Sequence, residues 1–230
     1  MRRAIQRDSF LGNEHADARM TAAFGMMGIM TLMGILIVLN ASNVDVGPSE
    51  GQLAPNLVAA SHSAGGSWGN DFVLYDEIDR TWEAGQEGNY FVIQFIDTDC
   101  SHCWSEGSEM SDLHGYWGND ITFITVAISL GNPGWESSRG EIAAFQEKAD
   151  RSGCNGDNNC ANRPGDVHNW LYLDDLDNSE RENWAVPGTP FAVVLDPSGI
   201  VIWNGGQHAG EETLMQGLGR VMPEGTGGGA

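Results

Sequence analysis

Residues Tyr90–Cys103 read YFVIQFIDTDCSHC. Tyr90–Ile96 is a nearly continuous apolar run, the pattern of a central strand covered on both faces by helices. Soon after it, Cys100-Ser101-His102-Cys103 opens a segment that reads as a helix to about His114. A C-x-x-C pair at a junction of buried strand and helix is where such a pair works as a redox couple. The attacking species is a thiolate, and the free N–H groups and partial positive charge of a helix start stabilise it. The spacing brings the second sulfur onto the same turn, where it can attack the mixed disulfide formed by the first. Cys100 is the expected nucleophile and Cys103 the expected resolving thiol. His102, when protonated, would tune the thiolate by lowering the Cys100 pKa. Asp97 and Asp99 oppose that effect, since nearby carboxylates disfavour a second negative charge. Asp97 is instead a candidate proton acceptor for Cys103, provided it points into the strand–helix interface. Three other readings of the pair compete: a static disulfide, half of a zinc site that needs two further ligands, and inert buried thiols.

Working outward, Ile121–Ile128 (ITFITVAI) is a second apolar strand. Phe191–Leu195 (FAVVL), the turn residues Asp196-Pro197-Ser198-Gly199 and Ile200–Trp203 (IVIW) read as a β-hairpin. Helices are expected over Arg139–Asp150, briefly after Ser179, and over Glu211–Val221. Ser138 with Glu141 and Ser179 with Glu182 have the spacing of capping boxes. Residues 68–85 stay ambiguous between strand and helix. The alternation predicts an α/β fold with a mixed sheet.

Over roughly residues 51–220 the chain resembles the thioredoxin-like superfamily, and within it the membrane-anchored TlpA/ResA-like thiol–disulfide oxidoreductases. The segments that carry the resemblance are Gly51-Gln52-Leu53-Ala54-Pro55-Asn56-Leu57, Phe95–Cys103, His168–Asp174 and Asn183-Trp184-Ala185-Val186-Pro187-Gly188-Thr189-Pro190. The last is similar to the family's Y-x-V-x-G-T-P. The resemblance implies that Thr189-Pro190 is a cis peptide beside the C-x-x-C, where Pro190 walls the substrate site and presents backbone groups to a client chain. Ile96 and Asp99 stand where the family has tryptophans, and the C-x-H-C form is more like the DsbA oxidases, which leaves the direction of electron flow open.

Cys154 and Cys160 lie in the polar stretch GCNGDNNCANRPGD. Outside the cell a structural disulfide closing this small loop is the default, with a second redox pair as the sharper alternative. Asn155, Asp157 and Asn158 do not have the spacing of an EF-hand loop.

Met20–Leu39 is twenty residues without a charge, about the length that crosses a bilayer. Arg2, Arg3, Arg7 and Arg19 precede it and the next basic residue is Arg80. The expected order is therefore a cytoplasmic segment over 1–19, a transmembrane helix over 20–39, a linker over 40–52, a thioredoxin-like domain over 53–221 outside the membrane, and a Gly-rich tail over 222–230. A cleaved signal peptide fits less well, because the apolar stretch is long and Leu39-Asn40-Ala41 is a poor cleavage site. The net charge of −21 argues against nucleic acid as a partner. It suits a strongly hydrated acidic surface or an acidic docking face.

The expected function is a membrane-anchored, extracytoplasmic thiol–disulfide oxidoreductase. Its partners would be client proteins with cysteines or disulfides, a membrane redox partner, and the bilayer through residues 20–39. No cofactor and no metal are expected. The alternatives are a copper-handling protein using Cys100, Cys103 and a histidine such as His208, and a membrane-displayed binding module in which the cysteines only staple the fold. A peroxiredoxin-type peroxidase would need a Pro-x-x-x-Thr-x-x-Cys context that the chain lacks.

Overall fold

The computed structural model describes residues 44–131, 137–223 and 226–227. The expected cytoplasmic segment 1–19 and transmembrane helix 20–39 lie outside the described residues. Among the described residues no helix is long and apolar enough to cross a membrane.

The strands are β1 (Val58–His62), β2 (Asp71–Val73), β3 (Tyr90–Ile96), β4 (Ile121–Ile128), β5 (Ser152–Cys154), β6 (Asn158–Asn159), β7 (Leu171–Asp175), β8 (Phe191–Leu195) and β9 (Val201–Asn204). The helices are α1 (Leu74–Glu77), α2 (Ser101–Ser105), α3 (Gly107–Trp117), α4 (Arg139–Glu147), α5 (Ser179–Asn183) and α6 (Leu214–Val221). One sheet runs β2-β1-β7-β4-β3-β8-β9, and β5 and β6 form a separate hairpin. β3 pairs in parallel with β4, and β4 with β7, whereas β8, β9, β1 and β2 join antiparallel. The sheet is mixed, as the alternation predicts.

β3 explains why its sequence is apolar almost throughout: every one of its residues is buried. Val92 and Ile96 enter the core on one face with Met110, Leu113, Phe145 and Leu218. Phe91, Ile93 and Phe95 enter the core on the other with Leu57, Leu74 and Trp184. Successive side chains of a strand point to opposite faces, so a strand covered on both sides must be apolar at both parities. The exception is Gln94, which is buried on the first face and bonds to the helix above it, as described below.

Several boundaries differ from expectation. The helix expected from the cysteines to His114 is two helices meeting at Glu106, and it continues to Trp117. The break coincides with Gly107, whose carbonyl accepts from Ser111 Oγ at 2.8 Å and Arg163 Nη1 at 3.3 Å. α4 stops before Asp150 because Lys148 turns left-handed at φ 54° and closes the helix. Ser138 caps α4 as expected, but the Glu141 side chain bonds Thr98 rather than reaching back to the cap. Ser179 does not cap α5. Asp175 does, accepting from the amides of Glu180 at 2.9 Å and Arg181 at 2.7 Å. α6 begins at Leu214 rather than Glu211, because Thr213 and Gln216 form the capping box there. Residues 68–85 contain both β2 and α1.

Residues 44–52, expected within the linker, are pinned to the domain. Gly51 N–H donates to Val201 O at 2.8 Å, Val201 N–H to Gln52 O at 2.9 Å, and Asn204 Nδ2 to Pro48 O at 2.6 Å. The chain 44–52 thereby satisfies polar groups of the β9 edge that would otherwise stay unpaired. At the other end Met222 is buried, so the core extends into the expected tail.

Between α4 and β7 the polar stretch forms the hairpin β5–β6, and Cys154 and Cys160 are joined as a disulfide. Both half-cystines are fully buried. Arg163, also fully buried, ties the exit of this insertion to its neighbours. Its guanidinium donates to the carbonyls of Phe145, Gln146, Gly107, Pro164 and Asp166. It also lies 2.6 Å from His168 Nε2. Burial, with the Arg163 charge added to it, lowers the His168 pKa to about 3. A neutral imidazole accepting at Nε2 is the form that satisfies a guanidinium, which has only donors.

Candidate active site

The two cysteines sit at the carboxyl end of β3, where parallel β3 and β4 leave room for a connecting segment. Cys100 caps α2, and its sulfur accepts the Cys103 N–H at 3.3 Å. Both cysteines are free, Cys100 partly exposed and Cys103 buried. Opposite them the chain returns from α5 through Val186–Pro190 into β8, with Thr189-Pro190 as a cis peptide bond. The resemblance implied that placement, and Cys100 Sγ lies 3.5 Å from Thr189 O. The fold is thioredoxin-like.

The electrostatics of the two sulfurs diverge. The Cys100 pKa falls from 9.0 to about 5. Its contact with Cys103 contributes most, followed against the opposing effect of burial by Thr189 and by the amides of Cys103 and His102. The Cys103 pKa moves far upward, because burial and the neighbouring Cys100 sulfur both disfavour a second thiolate. A thiolate at the helix start beside a protonated buried thiol is the division of labour expected from position. The Thr189 hydroxyl oxygen is buried and makes no hydrogen bond of ordinary geometry among the described residues. Its side chain favours the ionised form of both thiols, as a donor beside a thiolate does.

For two residues expected to serve the thiols, the structure shows which atoms are in contact. The His102 side chain is exposed, and its contribution to Cys100 comes from its backbone N–H rather than from imidazole charge. Asp97 is buried, but its Oδ1 accepts from Asp99 N–H at 2.8 Å and its Oδ2 from Leu130 N–H at 2.7 Å. Each carboxylate oxygen thus holds a loop in place, which makes Asp97 a clamp on the turn before Cys100.

A carboxyl that the sequence reading overlooked is Glu106, one turn beyond Cys103. Burial raises its pKa to about 7, with the charges of Glu109 and Cys100 adding to the effect. Gln94 Nε2 donates to Glu106 Oε2 at 3.2 Å. The signal available in sequence was the pair itself: a lone amide in an otherwise apolar strand and an acid on the helix that covers it. Glu106, Gln94, Met110, Pro190 and Trp203 line a groove of about 540 Å³ that runs from the Thr189-Pro190 turn along α3.

His208 is not brought to the cysteines. It stacks on Trp203 and pairs with Glu50 at 2.7 Å. Among the described residues no group of three His, Cys, Asp or Glu side chains is arranged to hold a metal ion. The copper ligand set of Cys100, Cys103 and His208 therefore does not form.

No protein-family model and no curated protein sequence matches the chain. Among solved structures it is similar to a secreted disulfide oxidoreductase of Mycobacterium tuberculosis homologous to E. coli DsbE, at 18% identity over 63% of this chain and 79% of that one, TM-score 0.41. The thioredoxin domain of a Bacteroides vulgatus thiol-disulfide oxidoreductase is 16% identical over 68% of this chain and 87% of its own, TM-score 0.45. A reduced Plasmodium vivax 2-Cys peroxiredoxin is 16% identical over 66% and 69%, TM-score 0.45. These likenesses are too distant to carry an argument about chemistry, which rests on the geometry of the site.

Proposed function

We propose that the protein is a thiol–disulfide oxidoreductase that exchanges disulfides with cysteines of exported proteins, held at the outer side of a membrane by residues 20–39. The observation that carries this reading is the pair of opposed thiols, a partly exposed Cys100 with a pKa of about 5 beside a buried Cys103 with a raised one. A static staple needs neither a stabilised thiolate nor a groove beside it, and the site has both.

A thiolate that persists at neutral pH stabilises the reduced form, so the Cys100–Cys103 disulfide is the oxidising member of the exchange. A client thiolate attacks Cys100 Sγ, the bond between the two sulfurs breaks, and Cys103 takes up a proton, as its raised pKa favours. The second client thiol loses its proton and attacks the client sulfur of the mixed disulfide. Cys100 then leaves as a thiolate, helped by its low pKa. The client gains a disulfide and the protein carries away two electrons. The groove beside Pro190 would seat the client segment around its cysteine.

The test is Cys103→Ser, run on the reverse direction of the same exchange. The Cys100 thiolate attacks a client disulfide and forms a mixed disulfide, the other client sulfur leaves as a thiolate, and the thiol that would release the client by closing the Cys100–Cys103 bond is missing. Mixed disulfides with exported proteins should accumulate, and Cys100→Ser should remove them. Absence of trapped species when Cys100 is reduced and accessible would overturn the reading. Protease added to intact cells should reach residues 53–221. Their digestion only from the cytoplasmic side would overturn the placement.

A further inference from the structure

The turn Asp97–Asp99, which delivers Cys100 to its place, is gripped from outside by the disulfide-closed hairpin. Asn155 and Gly156 both have positive φ, 45° and 81°, and their successive amides reach the same target. Asn155 N–H donates to Thr98 O at 2.8 Å, and Gly156 N–H donates to Asp99 Oδ1 at 3.0 Å. On the inner side Thr98 Oγ1 bonds Glu141 and lies 2.8 Å from Ser137 Oγ. The Cys154–Cys160 bond closes the base of the hairpin, and Cys160 N–H donates to Arg151 O at 2.7 Å.

Asp99 stands immediately before the residue that caps α2. Aspartate is among the strongest N-cap residues, and as a cap Asp99 would accept from the amides of Ser101 and His102. The His102 amide is one of the donors that favours the Cys100 thiolate. A freed Asp99 carboxylate would therefore compete with Cys100 Sγ for a donor and bring a negative charge beside it. The Gly156 amide gives that carboxylate another partner.

We infer that the hairpin Ser152–Cys160 is a positioning element for the nucleophile, in which the Asn155 and Gly156 amides fix Thr98 and Asp99 and keep the Asp99 carboxylate off the amides that serve Cys100. This rests on the reading of Cys100 as the attacking thiol. The disulfide's task is then to hold the loop in register with the active site, and opening it weakens Cys100 without touching either active-site sulfur. The other ionisable groups around the turn are Cys103 and Glu106 along the helices, Asp97 within the turn, and Glu141 with Arg151 behind Asp99. The His102 ring is exposed. None of these is altered in the variants below.

The experiment measures the pH midpoint of Cys100 alkylation by iodoacetamide in the reduced full-length protein, resolved by mass spectrometry. Cys154→Ala with Cys160→Ala should raise the midpoint by about one pH unit, the lower end of what a nearby charge does. Adding Asp99→Ala to that variant should return the midpoint to the wild-type value, since no carboxylate remains to compete. A disulfide that only stabilises the fold would show no such rescue. Gly156→Ala, which strains a positive-φ position and keeps the disulfide, should move the midpoint in the same direction and serves if the double variant does not fold. A wild-type midpoint near 5 that is unchanged in a folded loop variant, or a rise that Asp99→Ala does not reverse, overturns this inference alone. A wild-type midpoint at the ordinary thiol value overturns the reading of Cys100 and the inference with it.

Discussion

Thr189→Val removes one hydroxyl and little volume, and it separates two effects that the site combines. The Thr189 oxygen is buried without an ordinary hydrogen-bond partner among the described residues, and leaving a buried polar group unsatisfied costs about 1–3 kcal/mol. With Cys100 protonated, valine should therefore make the reduced protein more stable by about 1 kcal/mol. With Cys100 ionised, the same hydroxyl donates toward a charge, and such bonds contribute about 1.5–3 kcal/mol. Since one pH unit is about 1.4 kcal/mol, the Cys100 pKa should rise from about 5 by about one to two pH units. The sign follows from linkage. A Cys100 pKa below its unfolded value of 9.0 adds stability progressively as pH rises from about 5 toward 9, and that stability is lost as pH falls through about 5. The variant gains less on the way up. It should be the more stable protein at about pH 4 and lose that advantage, or reverse it, by about pH 8. Thiolate absorbance against pH gives the pKa, and urea unfolding of the reduced proteins gives the stabilities. A folded variant whose Cys100 titrates like wild type would refute the argument that this hydroxyl serves the thiolate.

Glu106→Gln keeps an amide where Gln94 donates and removes a carboxyl whose pKa is about 7 and which feels the Cys100 charge. The rate of Cys100 alkylation against pH should show a second inflection near 7 in the wild type, as ionised Glu106 makes the thiolate more basic, and the variant should lose it. Arg163→Met leaves five carbonyls without their donor, so chemical denaturation should show a loss of roughly 3 kcal/mol or more.

The parts of the fold that were legible in sequence are those whose composition is dictated by burial on two faces. β3, β4 and the β8–β9 hairpin follow from runs of apolar residues that have no other place to go. β1, with the sequence VAASH, gives no such signal. It becomes a strand because β2 and β7 pair with it, a tertiary cause that local sequence does not carry. The docking of residues 44–52 was hidden for the same reason, since it runs through backbone hydrogen bonds to residues some 150 positions away and through the Glu50 contacts with Asn204 and His208. At the site, the cysteines were legible because their chemistry fixes their residue type, and Thr189-Pro190 was legible only through the resemblance. For Asp97 and His102, proximity in sequence says which residues are near a thiol and not which atoms face it. Asp97 spends both oxygens on amides, and His102 offers its backbone while its ring faces solvent. Glu106 needed the opposite inference, from a lone Gln94 in a buried strand to the acid above it.

The central claim is that Cys100 and Cys103 form a couple in which one thiol attacks and the other waits. The direct measurement is the alkylation of each cysteine in the reduced protein as a function of pH, resolved by mass spectrometry. The account predicts that Cys100 is modified with a midpoint near 5, while Cys103 stays unmodified up to and beyond the ordinary thiol value of 9.0. Two cysteines modified together with midpoints near 9.0, or Cys103 modified first, would contradict it.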